Sequence, residues 1–389
     1  MTKVKERQKE QRRRGAWGVA ITSALLVGVG IISVWLSNTL LNPATILNPA
    51  TKLSIRSQDF RSNASALVQA FEQVSNPALA QDEYPSEPIE PIPLSLSLNP
   101  QKVALGNRLF HDPQLSGDRT LSCASCHSNA LGGADGLPTT ISRDSGRRKG
   151  LNTPTVWNSA FNFRQRWDGG IASLEEQING PLLSPTEMNN SWSEIVSRLS
   201  QDQNYLKAFH SLYPNGIQPD AVREAIATYE RALITPNAKF DRYLKGDKSA
   251  LSAQEKKGYD LFKRYGCVAC HQGVNVGGNM FQRLGVMEDY FLARGDVQKI
   301  DLGRMNITGR TRDRYVFKVP SLRNIELTAP YLHDGSVETL EDSVRIMGKY
   351  QLGREIPNED TAAIVSFLRT LTGTLPESVL ADASETDKT

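Results

Sequence analysis

The chain has 389 residues, of which 39% are hydrophobic and 22% are charged, so it is long enough for two ordinary domains with extensions. Its formal net charge of +3 gives no indication of a nucleic-acid partner. All four cysteines fall within two short motifs, so the composition gives no sign of a disulfide framework.

The N-terminal part predicts a membrane anchor. Residues 1–15 are rich in lysine and arginine and precede an uncharged stretch over 15–51. Its core, 16–36, would be about 31 Å long as a helix, which is enough to cross a bilayer. Because positively charged flanks stay cytoplasmic, we predict a cytoplasmic segment at 1–15, a transmembrane anchor at 16–41 and a periplasmic remainder.

The anchor is expected to stay uncleaved. The candidate cleavage site Ala78-Leu79-Ala80 lies far beyond the apolar run, whereas a signal peptide is cut directly after it. Residues 42–93 end in a stretch rich in proline and acidic residues, so we predict that they form a tether.

A first helical domain is predicted over 94–235. Asn99 followed by Pro100 is typical of a helix N-terminus, and this helix leads to the first cysteine motif. Two capping boxes follow, Ser173 with Glu176 and Ser191 with Glu194, and then a helix with Val222, Ile226, Tyr229 and Leu233 on one face. Thr235-Pro236 indicates the domain boundary.

A second helical domain is predicted over 236–375. A capping box of Ser252 with Glu255 begins the helix before the second cysteine motif. A late helix with Ile364, Phe367, Leu368 and Leu371 on one face is expected to end at Gly373. Strand signals are few, and residues 376–389 are expected to be a disordered tail.

Each predicted domain carries one Cys-x-x-Cys-His motif. The first motif is Cys123, Cys126 and His127, and the second motif is Cys267, Cys270 and His271. Cysteines three apart on a helical turn share a face and can bond the two vinyl groups of one porphyrin, while the next histidine ligates the iron. A zinc site or a redox dithiol also uses Cys-x-x-Cys, but neither explains the histidine after both pairs. The motifs therefore predict two covalent c-type haems.

Around these motifs the sequence resembles the bacterial di-haem cytochrome c peroxidase family. The likeness runs in order from about residue 109 to 373 through LSCASCH, NTPTVWNSAF, RWDGG, LEEQINGPL, TEM, YGCVACHQGVNVGG, VPSLRNIELTAPYLHDG and VRIMGKYQLG. It implies a mainly α fold of two cytochrome c-like domains with one haem each. It also implies that the first haem receives hydrogen peroxide and that the second collects electrons from a small donor, a cytochrome c or a cupredoxin. A homodimer is compatible with this resemblance.

The resemblance also implies roles for individual residues. Met347 matches the sixth ligand of the second haem, where methionine raises the reduction potential. Glu187 matches the acid-base group that moves a proton between the peroxide oxygens, and Gln177 matches a supporting amide. Trp167 matches a tryptophan that relays electrons between the haems. The remaining methionines after the second motif, Met280, Met287 and Met305, are expected to be packing residues.

The family also has a calcium ion between its domains. Its oxygen ligands match Asn152, Thr328 and Pro330, in keeping with the hard ligands that calcium prefers. His333 matches a family motif near the second haem, where a hydrogen-bonding role is expected. His111 and His210 are expected to be ordinary histidines.

One departure from the family pattern concerns the first haem. Well-known members close its far side with a histidine in the loop after the first motif, but the matching segment here, TTISRDSGRRKG, has Arg143 or Asp144 at that place. No histidine occurs between His127 and His210. We infer that the first haem is open to peroxide in the fully oxidised protein. Arg143 is expected to be solvated rather than to polarise peroxide.

Two alternatives to the peroxidase remain. A di-haem maturase that oxidises tryptophans in a partner protein is similar to this sequence, but it has tyrosine where this chain has Met347. A non-catalytic electron-transfer cytochrome would leave Glu187 and the missing histidine without a purpose.

Overall fold

The structure, a computed structural model, describes residues 87–140, 150–377 and 379. The predicted cytoplasmic segment, the anchor, most of the tether, Arg143, Asp144 and most of the predicted tail lie outside the described residues. Within the described ranges, none of the helices combines the length and the apolar character needed to cross a membrane.

The described chain is mainly helical, as predicted. Its α-helices are α1 Pro100–His111, α2 Leu174–Gln177, α3 Asn179–Leu183, α4 Trp192–Leu199, α5 Gln203–Leu212, α6 Pro219–Ala232, α7 Lys239–Leu244, α8 Ala253–Tyr265, α9 Tyr290–Arg294, α10 Met305–Thr308, α11 Leu340–Ile346 and α12 Asn358–Arg369. Two strands, β1 Phe281–Arg283 and β2 Val316–Lys318, pair antiparallel with Phe281 opposite Lys318. Short 3₁₀ turns and loops connect these elements.

Two helix crossings are built in the same way. In the first, α1 packs against α6 at Gly106, where a Cβ atom would lie 2.0 Å from the Ala225 carbonyl oxygen. In the second, α8 packs against α12 at Gly258, where a Cβ atom would lie 2.0 Å from the Ala363 carbonyl oxygen. Because any side chain would clash with backbone at these points, glycine is what lets each pair of helices approach so closely.

Each crossing lies in its own hydrophobic cluster. In the first cluster the ring of Phe110 packs on Tyr229 with centroids 5.2 Å apart, and in the second the ring of Phe262 packs on Phe367, also at 5.2 Å. This repetition is what a pair of similar helical domains requires. The predicted boundaries at 94–235 and 236–375 stay a prediction.

The N-terminal end of the described chain packs on the second hydrophobic cluster, and its C-terminal end packs on the first. Ile89 belongs to the second cluster, although it lies in the predicted tether, and Ile92 is also buried. Leu375 and Val379 belong to the first cluster, although the sequence assigns Val379 to a disordered tail. These apolar side chains are therefore held by cores that are distant in sequence. The bounds of the tether and of the tail stay a prediction.

The predicted helix beginnings are correct, with differences in detail. Asn99 accepts hydrogen bonds from the backbone of Gln101 and Lys102 at the start of α1. Ser252 and Glu255 form the complete reciprocal box at the start of α8.

Ser173 and Ser191 cap α2 and α4 through the backbone of Glu176 and Glu194. The two glutamate side chains do not return to the caps. Instead they bind the Ala172 backbone N–H and the Arg198 side chain. In these two predicted capping boxes, therefore, the serine caps the helix but the glutamate does not bind the N-cap backbone.

The predicted end of the last helix at Gly373 is wrong. Helix α12 ends at Arg369, and Gly373 has no left-handed backbone. A Cβ atom on Gly373 would lie 2.3 Å from the Thr235 carbonyl oxygen, and its N–H donates to Asn324 Oδ1 (2.9 Å). This glycine therefore serves a close chain approach rather than a helix C-cap.

Candidate functional site

The first motif lies on a tight turn after α1. Cys123–Ser125 forms one turn of 3₁₀ helix, and the His127 N–H donates to the Cys123 carbonyl oxygen (3.0 Å). His127 Nδ1 donates to the Gly133 carbonyl oxygen (3.1 Å), which leaves Nε2 without a hydrogen-bond partner among the described residues. A histidine anchored in this way is oriented to bind a metal through Nε2.

The second motif repeats this geometry. Cys267–Ala269 forms the 3₁₀ turn, the His271 N–H donates to the Cys267 carbonyl oxygen (3.0 Å), and His271 Nδ1 donates to the Val276 carbonyl oxygen (3.2 Å). Burial lowers the pKa of His271 to about 4 and also lowers the pKa of His127. Both imidazoles are therefore neutral near pH 7, which is the form that ligates a metal.

These turns fit covalent haem better than zinc. Cys123 packs against the first hydrophobic cluster and Cys267 against the second, and all four thiols are free of disulfides. Within the described ranges, neither motif gathers three side chains whose ligand atoms lie close enough to hold one metal ion. Each motif instead offers free thiols beside one anchored imidazole, as a c-type haem requires.

Glu187 lies in the turn between α3 and α4. The residue as a whole is exposed, yet partial burial of its carboxyl raises the pKa above its usual value, against the opposing attraction of Arg166. Burial, Asp135 and Glu187 together raise the pKa of the Cys126 thiol. Glu187 is therefore within electrostatic range of the first motif, and the structure brings these two predicted features together.

Gln177 is half-buried at the end of α2. No hydrogen bond from its side chain to Glu187 occurs among the described residues. Its supporting role stays a prediction.

Trp167 lies between parts of both predicted domains. Its indole Nε1 donates to the Asn152 carbonyl oxygen (2.9 Å), and its own carbonyl oxygen accepts from the Lys318 backbone N–H (2.8 Å). Its ring meets the edge of the His333 ring with centroids 6.5 Å apart. This position is compatible with the predicted electron relay, which itself stays a prediction.

The three predicted calcium ligands lie on neighbouring loops. The Asn152 N–H donates to the His333 carbonyl oxygen (2.8 Å), which places Asn152 against the loop that carries Thr328 and Pro330. In the described part of the chain, the Thr328 and Pro330 carbonyl oxygens accept no hydrogen bond. These two oxygens are uncommitted, whereas the Asn152 carbonyl oxygen already accepts from Trp167, so Asn152 would bind calcium through its side-chain oxygen. The calcium site stays a prediction.

A buried polar network that the sequence did not reveal surrounds His333. His333 Nε2 donates to Asp301 Oδ1 (2.6 Å), and Arg294 binds both Asp301 and Asp334. Burial acts to raise the pKa of Asp301, but the bonds from Arg294, the Gln298 N–H and His333 outweigh it and hold that pKa below its usual value.

Asp301, His333 and Asp334 have ligand atoms close enough together for a metal ion. However, the Arg294 guanidinium already neutralises both carboxylates, so this cluster is an ion-pair network rather than a cation site. No local pattern reveals it, because Arg294 and Asp301 are at least 32 residues before His333 and Asp334 in the sequence. The predicted place of His333 near the second haem stays a prediction.

The other two histidines agree with the expectation. His111 Nδ1 donates to the Asn107 carbonyl oxygen (2.9 Å) within α1. His210 is exposed and lies beside Gly216. Neither has surroundings that indicate a functional role.

Met347 begins a π-helical turn, Met347–Gln351, directly after α11. Such turns are rare and are frequent at functional sites, which is compatible with the predicted ligand role. Of the methionines expected to pack, Met280 and Met305 are half-buried, but Met287 is 60% exposed. The packing prediction is wrong for Met287, because its N–H is held to the Tyr350 carbonyl oxygen (3.0 Å) in a surface turn.

Comparison with known proteins identifies relatives of this chain. A family model described as di-haem cytochrome c peroxidase matches residues 100–249. The chain is 47% identical over 292 residues to cytochrome c peroxidase Ccp of Escherichia coli strain K12, covering 75% of this chain and 62% of that relative, which is less than two thirds of its length. It is 42% identical over 293 residues to cytochrome c551 peroxidase of Nitrosomonas europaea, covering 75% of this chain and 86% of that relative.

A solved structure has a similar fold. It is the crystal structure of a MauG-like protein associated with microbial copper homeostasis, which is 29% identical to this chain. The superposition has a TM-score of 0.64 and covers 75% of this chain and 95% of that protein.

Proposed function

The chain belongs to the di-haem cytochrome c peroxidase family, and we propose that it reduces hydrogen peroxide to water with electrons from a small cytochrome c or cupredoxin. One observation carries this proposal. Each of two similar cores presents a Cys-x-x-Cys-His turn with an anchored neutral imidazole, and the first turn has the Glu187 carboxyl within electrostatic range.

The electron balance explains why two such turns are useful. Reduction of one peroxide to two waters consumes two electrons and two protons, whereas small donor proteins supply electrons singly. A haem bound at each motif supplies an iron that exchanges single electrons and, where a coordination position is free, binds peroxide. His127 and His271 would hold these irons through Nε2.

Glu187 supplies the proton transfer. As a carboxylate it accepts the proton of one peroxide oxygen, and as a carboxylic acid it returns that proton to the other oxygen while the O–O bond breaks. Gln177 supports the carboxyl. The raised pKa of Glu187 brings its two protonation states closer in free energy near neutral pH than those of an ordinary glutamate.

The two sites have different tasks in this proposal. Met347 would supply a sulfur ligand to a haem held at the second site, and sulfur ligation would favour the reduced state and so suit electron collection. The first site has no histidine available from the loop after its motif, so it is open to peroxide in the oxidised protein. Trp167, placed between the two predicted domains, relays electrons from the second site to the first.

Three further features complete the proposal. Asn152, Thr328 and Pro330 would hold a calcium ion, which would fix the loop to which Trp167 donates its hydrogen bond. The segment at 16–41 anchors the chain in the membrane. The domains that carry the motifs then lie on the periplasmic side.

The test is peroxide-dependent oxidation of a reduced small cytochrome c by the haem-loaded protein. We expect turnover in the wild type and a loss of about 100-fold or more in Glu187→Gln, since general acid-base catalysis contributes at least that much. Glu377→Gln, a change at an exposed glutamate, serves as the matched control and should retain full activity. A haem-loaded wild type without peroxide turnover would contradict the proposal and favour a plain electron-transfer cytochrome.

A further inference from the structure

Lys318, the last residue of β2, has an unusual environment. Lys318 and Arg323 are the two buried lysine or arginine side chains in the described part of the chain, with 8% and 1% of their surface exposed. Arg323 is fully partnered, since it pairs with Asp241 (2.7 Å) and donates to the carbonyl oxygens of Val274 and Glu90. The Lys318 ammonium, in contrast, has no hydrogen-bond acceptor or carboxylate partner among the described residues.

A buried ammonium without a counter-ion is costly. The cost is the loss of hydration, and proteins normally avoid it by pairing the charge. Burial alone lowers the pKa of Lys318 to about 8, with no opposing charge to restore it. Lysine stems often lie along apolar surface while the ammonium reaches open space, and this holds for Lys318, which is 8% exposed and whose Nζ is not fully enclosed. The described part of the chain therefore offers the Lys318 ammonium no anionic partner.

The position of Lys318 indicates where that partner comes from. Its backbone N–H donates to the carbonyl oxygen of Trp167 (2.8 Å). Two residues later, the Pro320 carbonyl oxygen lies against Gly277, where an added Cβ atom would be 2.2 Å away from that oxygen and 3.3 Å from His271 Nδ1. Lys318 thus lies between Trp167 and the loop that forms one wall of the His271 site.

A c-type haem carries two propionate carboxylates, which are suitable partners for a buried ammonium. The vinyl edge of the ring is fixed by the motif cysteines, so the propionate carboxylates project from the opposite edge. We propose that the Lys318 ammonium pairs with a propionate of a bound haem and thereby favours the reduced state of that haem. This inference rests on the proposed function, because it requires covalent haem, and either haem can supply the carboxylate.

The expected effect follows from charge. An unpaired propionate near an iron favours its oxidised, more positive state, and pairing with Lys318 cancels much of that preference. Replacing Lys318 by methionine keeps the length of the side chain and removes its charge. At a fixed ambient potential, the ratio of reduced to oxidised haem should then fall about tenfold for the paired haem, the effect of one pKa unit of lost interaction.

The experiment is an equilibrium redox titration of the haem-loaded full chain, followed optically so that the two haem transitions are resolved. Lys318→Met should shift one or both transitions, and the transition that moves identifies the haem that supplies the propionate. Lys318→Arg keeps the charge, so it should change the ratio of reduced to oxidised haem by no more than about twofold for either haem. Lys207→Met, which removes the charge of an exposed lysine, is the control and should shift neither transition. Unchanged transitions in Lys318→Met would overturn the proposal.

A second measurement covers the case in which Lys318→Met does not fold or load haem. Infrared spectra of the wild type and Lys318→Arg, both with ¹³C-labelled haem propionates, should differ in a propionate carboxylate stretch, because guanidinium binds carboxylates with a different geometry. Identical propionate bands would overturn the pairing. Neither measurement uses peroxide, so absence of peroxidase turnover in the wild type would count against the proposed function alone.

Discussion

The glycine at the second helix crossing gives a sharp test of how the cores are built. In Gly258→Ala the new Cβ atom would lie 2.0 Å from the Ala363 carbonyl oxygen and 2.9 Å from Phe367 Cβ. The obstacle is helix backbone, so α8 and α12 must separate rather than merely shift a side chain. Overpacking of this kind costs roughly 1–3 kcal/mol, and the helix preference of alanine over glycine returns roughly 0.5–1 kcal/mol. Because the contact is with backbone, the upper end of the overpacking cost applies, and we expect a net destabilisation of about 2 kcal/mol.

The assay is denaturant unfolding of the haem-loaded protein, with helix content and haem absorbance followed together. Because the rings of Phe262 and His271 lie 6.5 Å apart, Gly258→Ala should also disturb the spectrum of the second haem. Gly106→Ala should do the same for the first haem, since Phe110 and His127 lie 6.4 Å apart. Gln254→Ala, at an exposed position of α8, is the matched control and should be nearly neutral. A Gly258→Ala protein as stable as this control would refute the packing argument.

Three more predictions concern the ion pair, the acid-base group and the sulfur ligand. Asp241→Asn leaves the buried Arg323 charge uncompensated and should cost about 3–5 kcal/mol of unfolding free energy, and a loss below about 1 kcal/mol would contradict this. Turnover should fall as the pH drops through the pKa of Glu187, which lies above that of an ordinary glutamate, because Glu187 must be ionised to accept a proton. If the residual turnover of Glu187→Gln fell with pH in the same way, Glu187 would not be the acid-base group. Met347→Ala should lower the potential of the second haem and let it bind cyanide, whereas an unaltered titration would rule out sulfur ligation.

Much of the fold followed from local sequence signals. Asn99 with Pro100 and Ser252 with Glu255 are short-range patterns, and both mark helix starts in the structure. The spacing within each Cys-x-x-Cys-His motif likewise fixes a single turn. Gly373 shows the limit of such reasoning, since its role depends on the approach of Thr235, which no local pattern encodes.

The site was predictable only in part, for the same physical reason. Glu187 and Trp167 were assigned by their match to a family pattern, and their surroundings in the structure are compatible with that pattern. The network of Arg294, Asp301 and His333 joins residues from different elements. The surroundings of Lys318 likewise depend on how distant parts of the chain pack. Such long-range polar contacts are set by tertiary packing, so residue type and spacing carry no signal for them.

The proposed difference between the two haem sites, one open and one closed by methionine, can be measured directly. Cyanide is added to the fully oxidised, haem-loaded chain without any reductant, and the number of haems that bind it is counted from the optical and electron paramagnetic resonance spectra. We expect one haem per chain to bind cyanide, the one attached at the first motif, while the methionine-ligated haem at the second motif stays unchanged. Binding by neither haem, or equal binding by both, would contradict a peroxidase with one open and one closed site.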